Sequence, residues 1–288
     1  MTRPRLTIPG LSEMKLRGEQ IVMVTAYDFP SARMADRAGV DVVLVGDSGA
    51  QVVLGRDSTV AISTDEMIML SAAVRRGISE ALLVCDVPFG STELSDAQAI
   101  ETAIRFVKEA GADAVKIEGA TPERLSRIRA ITAAGIPVVG HIGLTPQTAT
   151  ALGGFRAQGR TVETATRFVT EALAVEQAGA VALVAEAVPS DIASLATPEL
   201  RIPVIGIGAG PADGQVLVLH DLLGMTEGHT AKFVKQFATI GDDMVAGISA
   251  YAAEVRGGVF PAPEHQYPVD PQVVEAARAA LAQAAAGR

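Results

Sequence analysis

Cysteine, histidine, lysine and tryptophan are all scarce in this chain of 288 residues, which has one Cys, four His, five Lys and no Trp. The single cysteine, Cys85, excludes an internal disulfide framework and a multi-cysteine zinc site, and it suits a reducing compartment. The histidines (His141, His220, His229 and His265) form neither an HxH nor an HExxH pattern, so a bound metal is expected to take oxygen ligands. No apolar run reaches the roughly 18 residues that a membrane-spanning helix needs. The first residues, MTRPRLTIPGLSEMKLRG, lack the apolar core and cleavage-like site of a secretory signal. A basic surplus is also missing. The formal net charge is −9, which argues against a general nucleic-acid binder. The expectation is a cytoplasmic protein with no nucleic-acid or membrane partner.

What is present is apolar sequence in a repeating order. Apolar residues make up 49% of the chain and mean hydropathy is +0.31, enough for a large core and too much for a disordered chain. Valine- and isoleucine-rich runs recur at 21–28, 41–48, 81–88, 114–119, 137–143, 181–189, 203–210 and 215–222. Short continuous runs of this kind read as strands buried on both faces, the mark of a parallel sheet. Between them the periodicity predicts helices over 31–38, 64–76, 95–110, 121–134 and 161–178. Thr64 is the expected N-cap of the second, Thr121 with Pro122 opens the fourth, and three of the helices stop at an Ala-Gly pair. Eight strands alternating with helices fit a (β/α)8 TIM barrel, which takes about 250 residues. The weak point is the link 211–214, too short for a helical crossover between the last two strands. A doubly wound sheet is the alternative, but no GxGxxG follows the first strand. Residues 6–17 read as an extra N-terminal helix and 226–256 as helical. The division falls into a barrel domain over 1–265 and an alanine-rich helical tail over 266–288, opened by Asp270 and Pro271.

Catalytic residues of such barrels sit at the C-terminal ends of the strands. Those positions hold Tyr27, Asp28, Asp47, Ser48, Asp86, Lys116, Glu118, His141 and Glu186. Asp47, Asp86 and Glu118 end three neighbouring strands, and buried carboxylates repel one another unless a cation compensates. Hard oxygen donors suit Mg²⁺. The alternative is that each acid caps a helix or pairs with an arginine, as is expected of Asp57 and Asp65. Lys116 lies inside an apolar strand. It either pairs with Glu118, two positions along the same face, or binds a substrate carboxylate; a Schiff-base role fits poorly among acids. Glu186, flanked by apolar residues, suits a general base with a raised pKa or a paired buried acid. His141 reads as a structural or hydrogen-bonding residue. The segment 153–160, GGFRAQGR, reads as a mobile loop after the fifth strand, and GIGAG (206–210) as a glycine-rich turn.

Ordered motifs run through most of the chain: TAYD (25–28), VGDS (45–48), GRDST (55–59), AAVRRG (72–77), DVPF (86–89), VKIEG (115–119), GHIGLTPQ (140–147), GGFRAQGR (153–160), PVIGIGAG (203–210), DGQVLVLHD (213–221) and GVFPAPEH (258–265). In these the chain resembles the ketopantoate hydroxymethyltransferase family. The resemblance implies a barrel of the phosphoenolpyruvate mutase/isocitrate lyase group that acts on 3-methyl-2-oxobutanoate. It implies Mg²⁺, 5,10-methylenetetrahydrofolate as co-substrate, and homo-oligomers, commonly decamers. It implies Asp47, Asp86 and Glu118 at the metal, Asp47, Ser48, Asp86 and Lys116 on the keto acid, and Glu186 as proton acceptor. Arg156 and Arg160 are expected to attract the glutamate tail of the folate, with His141 a further candidate on that side. The chain departs from the family at Gly49-Ala50-Gln51 and at Arg56. The alternative activity is a Mg²⁺-dependent 2-oxo acid lyase or mutase on the same barrel, without folate. A scaffold that lost catalysis is the alternative of another class, and the intact set of strand-end acids speaks against it.

Overall fold

The computed structural model describes residues 4–151, 153–228 and 230–287. They divide into two compact units, Met1–Ala238 and Thr239–Arg288; the sequence reading put the division at residue 265. Eight strands of the first unit close into a barrel in sequential order: β1 (Ile21–Thr25), β2 (Val42–Val45), β3 (Leu82–Asp86), β4 (Ala114–Glu118), β5 (Val138–Gly143), β6 (Ala182–Glu186), β7 (Val204–Ile207) and β8 (Gly214–Leu217). All eight pairings are parallel, including β8 with β1.

Because side chains alternate across a strand, each apolar run splits into two sets. One set (Val43 and Val45, Leu83 and Cys85, Val115 and Ile117, Leu183 and Ala185) faces the outer helices and joins the larger core cluster. The other points down the barrel axis and forms the second cluster: Ile21 and Met23, Val42 and Leu44, Leu82 and Val84, Ala114, Val139, Ala182 and Val184, Ile205 and Val216. The N-terminal helix α1 (Ile8–Leu16) adds Leu11 and Met14 to this second cluster. It is tied down by Lys15 Nζ, which donates to Asp213 at 2.6 Å and to the Thr197 carbonyl at 2.9 Å.

The helices outside the barrel are α2 (Phe29–Arg37), α3 (Gly49–Val52), α4 (Thr64–Gly77), α5 (Asp96–Arg105), α6 (Pro122–Ala133), α7 (Val162–Gln177) and α8 (Ser190–Ala196). The caps explain the starts. Asp28 accepts from the Ser31 amide at 2.7 Å, Thr121 caps α6, and Thr161 caps α7. For α4 the cap is Ser63 rather than Thr64, because Glu66 reaches back to the Ser63 amide and closes a capping box. The Ala-Gly stops hold: Gly111, Gly135 and Gly179 adopt φ of +70°, +87° and +98°, a region that glycine reaches without strain. A π-helical turn at Phe106–Ala110 joins α5 to Gly111.

No helix separates β7 from β8. The connection over 208–213 turns straight back, setting Ile205 beside Gly214 in parallel register. Gly214 is required there, since a Cβ would lie 2.3 Å from the Ile21 carbonyl oxygen. After the short helix α9 (Leu219–Leu222), the reading of 226–256 as helical needs correction. Helix starts only at Ile240. Gly228 takes φ +88°, and the Phe237 amide is drawn to the Leu222 carbonyl at 2.8 Å. In the second unit, α10 (Ile240–Arg256) and α11 (Pro271–Ala286) have no buried residues, and Asp270 caps α11 as expected. Among the described residues no helix is long and apolar enough to cross a membrane.

Candidate active site

The axial set of side chains changes character at its last step. Following Leu82 and Val84 comes Asp86; following Ala114 come Lys116 and Glu118; following Val139 comes His141; following Ala182 and Val184 comes Glu186. The period of two keeps these groups on the barrel axis. The register sets Asp86 beside Lys116 and Glu118 beside His141. Asp47 and Ser48 join them from the turn between β2 and α3. All seven line one cavity of about 710 Å³.

The contacts form a continuous network. Lys116 Nζ lies 2.9 Å from Asp86 Oδ1 and 4.0 Å from Glu118 Oε1, so its main partner is the acid on the neighbouring strand. The backbone amide of Asp47 donates to Asp86 Oδ2 at 3.0 Å. His141 Nδ1 stands 3.1 Å from both Lys116 Nζ and Glu118 Oε1, and its Nε2 stands 3.1 Å from Glu186 Oε2. This last contact is bent, so Nε2 has no well-aligned hydrogen bond. Ser48 Oγ and the Tyr27 hydroxyl are 2.8 Å apart. His141 thus sits in the barrel, 3% exposed, between two of the acids rather than on the loop side.

One residue escaped the sequence reading. Gln147 donates from Nε2 to Asp47 Oδ2 and to the Val87 carbonyl, both at 3.0 Å, and its backbone amide donates to Glu118 Oε2 at 2.9 Å. It therefore ties together two of the three acids assigned to metal. A buried glutamine after a Thr-Pro turn was the available signal, but its partner Asp47 is 100 positions away.

Electrostatics follow from burial and crowding. Burial, with repulsion from Glu118 and Asp86, pushes Asp47 up to about 8. Burial likewise raises Asp86, and Lys116 offsets only part of that. For Lys116 burial acts downward, but the charges of Asp86, Glu118 and Asp47 outweigh it and hold the ammonium above its ordinary value. Burial acts upward on Glu118, and His141, Lys116 and the Gln147 amide overcome it to leave the carboxyl below its usual range. Burial and Lys116 act downward on His141, yet Glu118 and Glu186 raise it to about 9.

Of the loop residues, Phe155 and Arg156 line the cavity, whereas Arg160 is exposed and does not. Asp28 is spent on capping α2, and Asp65 lies in the first turn of α4 paired with Arg105 at 2.9 Å. Arg56, one of the departures noted above, forks onto Glu66, which it holds down to about 2. Gly49 leaves room for Tyr27, whose ring would be 2.9 Å from a Cβ placed there.

Among the described residues no three His, Cys, Asp or Glu side chains stand in a metal-coordinating arrangement. The donor chemistry nevertheless fits Mg²⁺, which is held by one or two carboxylates with waters and substrate oxygens rather than by an all-protein cage. Asp86 Oδ1 is buried with the Lys116 ammonium at 2.9 Å as its ion-pair partner, and Asp47 is raised by burial and by the negative charges of Glu118 and Asp86. A bound cation offsets the negative charge crowded around Asp47.

A family model described as ketopantoate hydroxymethyltransferase matches residues 5–263. A 3-methyl-2-oxobutanoate hydroxymethyltransferase of Moorella thermoacetica is 52% identical over 266 residues, 92% of this chain and 98% of its own. That of Heliobacterium modesticaldum is 49% identical over 270 residues, 93% and 98% of the two chains. A mitochondrial enzyme of the same name from Arabidopsis thaliana is 49% identical across 91% of this chain and 77% of its own. Among solved structures, phosphonopyruvate hydrolase superposes with a TM-score of 0.61 at 15% identity, covering 98% and 99% of the chains. A 2,3-dimethylmalate lyase of the PEP mutase/isocitrate lyase superfamily gives 0.59 at 16% identity, covering 98% and 100%. At that identity these two speak for the fold alone.

Proposed function

Because the chain belongs to the ketopantoate hydroxymethyltransferase family, we propose that the cavity at the strand ends carries out the family's reaction with Glu186 as base and Lys116 as carboxylate receiver. The activity is that of a 3-methyl-2-oxobutanoate hydroxymethyltransferase: a one-carbon unit passes from methylenetetrahydrofolate to C3 of the keto acid, giving ketopantoate. The observation that carries the assignment of roles is the position of Lys116. It is the cation of strand β4, 4% exposed, in a cavity lined by Asp47, Asp86, Glu118 and Glu186.

The substrate carboxylate takes a place beside Lys116 Nζ, with Ser48 Oγ as a second donor. Tyr27, 2.8 Å from Ser48 Oγ, holds that hydroxyl in place. Burial strengthens this contact, because the competing water is excluded. Asp47 and Asp86 are the residues that would hold Mg²⁺ directly, and Glu118 its surrounding waters. The ion, when bound, supplies charge stabilisation at the keto oxygen as C3 loses its proton. Glu186 accepts that proton. His141 Nε2 sits against Oε2 of Glu186 and leaves Oε1 to face the substrate. The C3 carbanion then attacks the methylene carbon of the folate. Both carbon–nitrogen bonds of the methylene bridge break as water adds, the two folate nitrogens taking the two water protons, and the proton held by Glu186 passes to the new hydroxyl.

The test isolates the first step. Wild-type protein with Mg²⁺ and 3-methyl-2-oxobutanoate in D₂O, without folate, should exchange the C3 proton, read by NMR. Glu186→Gln should slow the exchange by about 10²-fold or more, the ordinary contribution of a general base. Exchange by the variant at the wild-type rate removes Glu186 from the role.

A further inference from the structure

The cavity is larger and less uniform than a five-carbon keto acid requires. Its volume of about 710 Å³ is in the range of pockets that enclose a drug-sized ligand. The deep part is the charged cluster. The outer part is lined from two directions: Phe155 and Arg156 come from the segment after β5, and Lys232 and Phe233 from the irregular segment after α9. We propose that this rim is the folate-binding site, with Phe155 and Phe233 as stacking faces for the flat rings and with Arg156 and Lys232 as receivers of the glutamyl carboxylates. This rests on the activity stated above.

Charge decides which way the co-substrate enters. The floor's cations, Lys116 and His141, already face Asp86, Glu118 and Glu186, and Lys116 also receives the keto acid, so the cations left for an anionic glutamyl tail lie further out. Arg156 and Lys232 are the cations of the outer lining among the described residues. The carboxylate at that level, Asp221, accepts a hydrogen bond from the Thr226 hydroxyl at 2.6 Å. The tail therefore points outward and the one-carbon end inward, toward the substrate carbon that Glu186 deprotonates.

The rim aromatics are not equivalent. Phe155 is 68% exposed, whereas Phe233 is 38% exposed and seated. Its seat is Gly208 in the turn after β7, where a Cβ would lie 2.5 Å from the ring. The φ of Gly208 is +60°. The glycine-rich turn thus serves to bring an aromatic face to the cavity mouth. Large exposed apolar surface at the mouth of a polar pocket is what a ligand with flat rings would cover.

Calorimetric binding of tetrahydrofolate as mono- and triglutamate tests the proposal without turnover. Phe233→Leu should weaken both ligands roughly ten-fold, and Phe233→Tyr should retain binding, since stacking needs the ring. Should Phe233→Leu fail to fold, the exposed Phe155→Leu carries the same prediction. Arg156→Ala and Lys232→Ala should weaken the triglutamate more than the monoglutamate and flatten its salt dependence. In all variants the folate-free C3 exchange should persist. Wild-type affinity for both ligands in the Phe and the cation variants overturns the rim assignment. Loss of C3 exchange in the wild type instead strikes at the Glu186 reading and leaves the binding data to judge the rim alone.

Discussion

Adding Mg²⁺ to the metal-free protein should eject a proton from the cavity floor. Asp47 is pushed up to about 8 by burial and by the neighbouring charges of Glu118 and Asp86. A carboxylate must be ionised to hold Mg²⁺, so binding at neutral pH first costs the loss of that proton. With a pKa near 8, about a tenth of Asp47 is ionised at pH 7 and about nine-tenths at pH 9. The apparent affinity should rise roughly ten-fold for each pH unit below 8 and level off above it, each step being about 1.4 kcal/mol. Calorimetry in two buffers of different ionisation enthalpy counts the protons directly: a clear release per Mg²⁺ at pH 7 that falls toward zero as pH rises past 9. The stability of the metal-free protein runs in the opposite sense. The folded-state pKa of Asp47 lies above its unfolded value, so this group's contribution is most favourable at low pH. That contribution is lost as pH rises from about 4 toward 8. Mg²⁺ should restore it, most strongly above pH 8. Binding with no proton release and no pH dependence between 6 and 9 would refute the placement of Asp47 in the cation site.

Two other outcomes follow from the same geometry. Lys116→Met removes the cation that Asp86 faces at 2.9 Å; stripping one partner from a buried pair costs about 3–5 kcal/mol, read by urea unfolding at pH 7, and the loss should shrink as pH falls and Asp86, raised by burial, takes up a proton. Its KM for the keto acid should rise as well. Gly140→Ala puts a Cβ 2.3 Å from Val175 Cγ1, where α7 packs on β5. The overpacking should cost about 1–3 kcal/mol in thermal or urea unfolding, and the double variant with Val175→Ala should recover most of it. Equal stability of the single and double variants would show that the contact is not the cause.

Much of the barrel was readable because its signals are local. A run such as LLVCD or AVKIE encodes its own two faces through alternation alone, and Thr121-Pro122 or Ala110-Gly111 marks a helix end within two residues. The strand-end acids were readable for the same reason. Once Asp86, Glu118 and Glu186 are the last inward positions of their strands, closure of the barrel brings them to one cavity. Legibility stopped where a side chain's meaning depends on distant neighbours. The described residues of the 226–239 segment carry no helix, and there Phe233 lies against Gly208, a partner that no local pattern reveals. Ser63 displaced Thr64 as a cap because Glu66 could answer it.

His141 marks the boundary most clearly. Its strand, its inward direction and its place opposite Glu118 follow from the order of residues along β4 and β5. Its role does not, because Nδ1 meets Lys116 and Glu118 while Nε2 meets Glu186 only after three strands are laid side by side. Gln147 is the same case over a longer span, and Arg160 the converse, a plausible cation that the loop turns away from the cavity. Periodicity and capping act over a few residues and are written into the chain at that range. The convergence of charges, with the pKa values it imposes, belongs to barrel closure and register, which add contacts between residues that share no sequence neighbourhood.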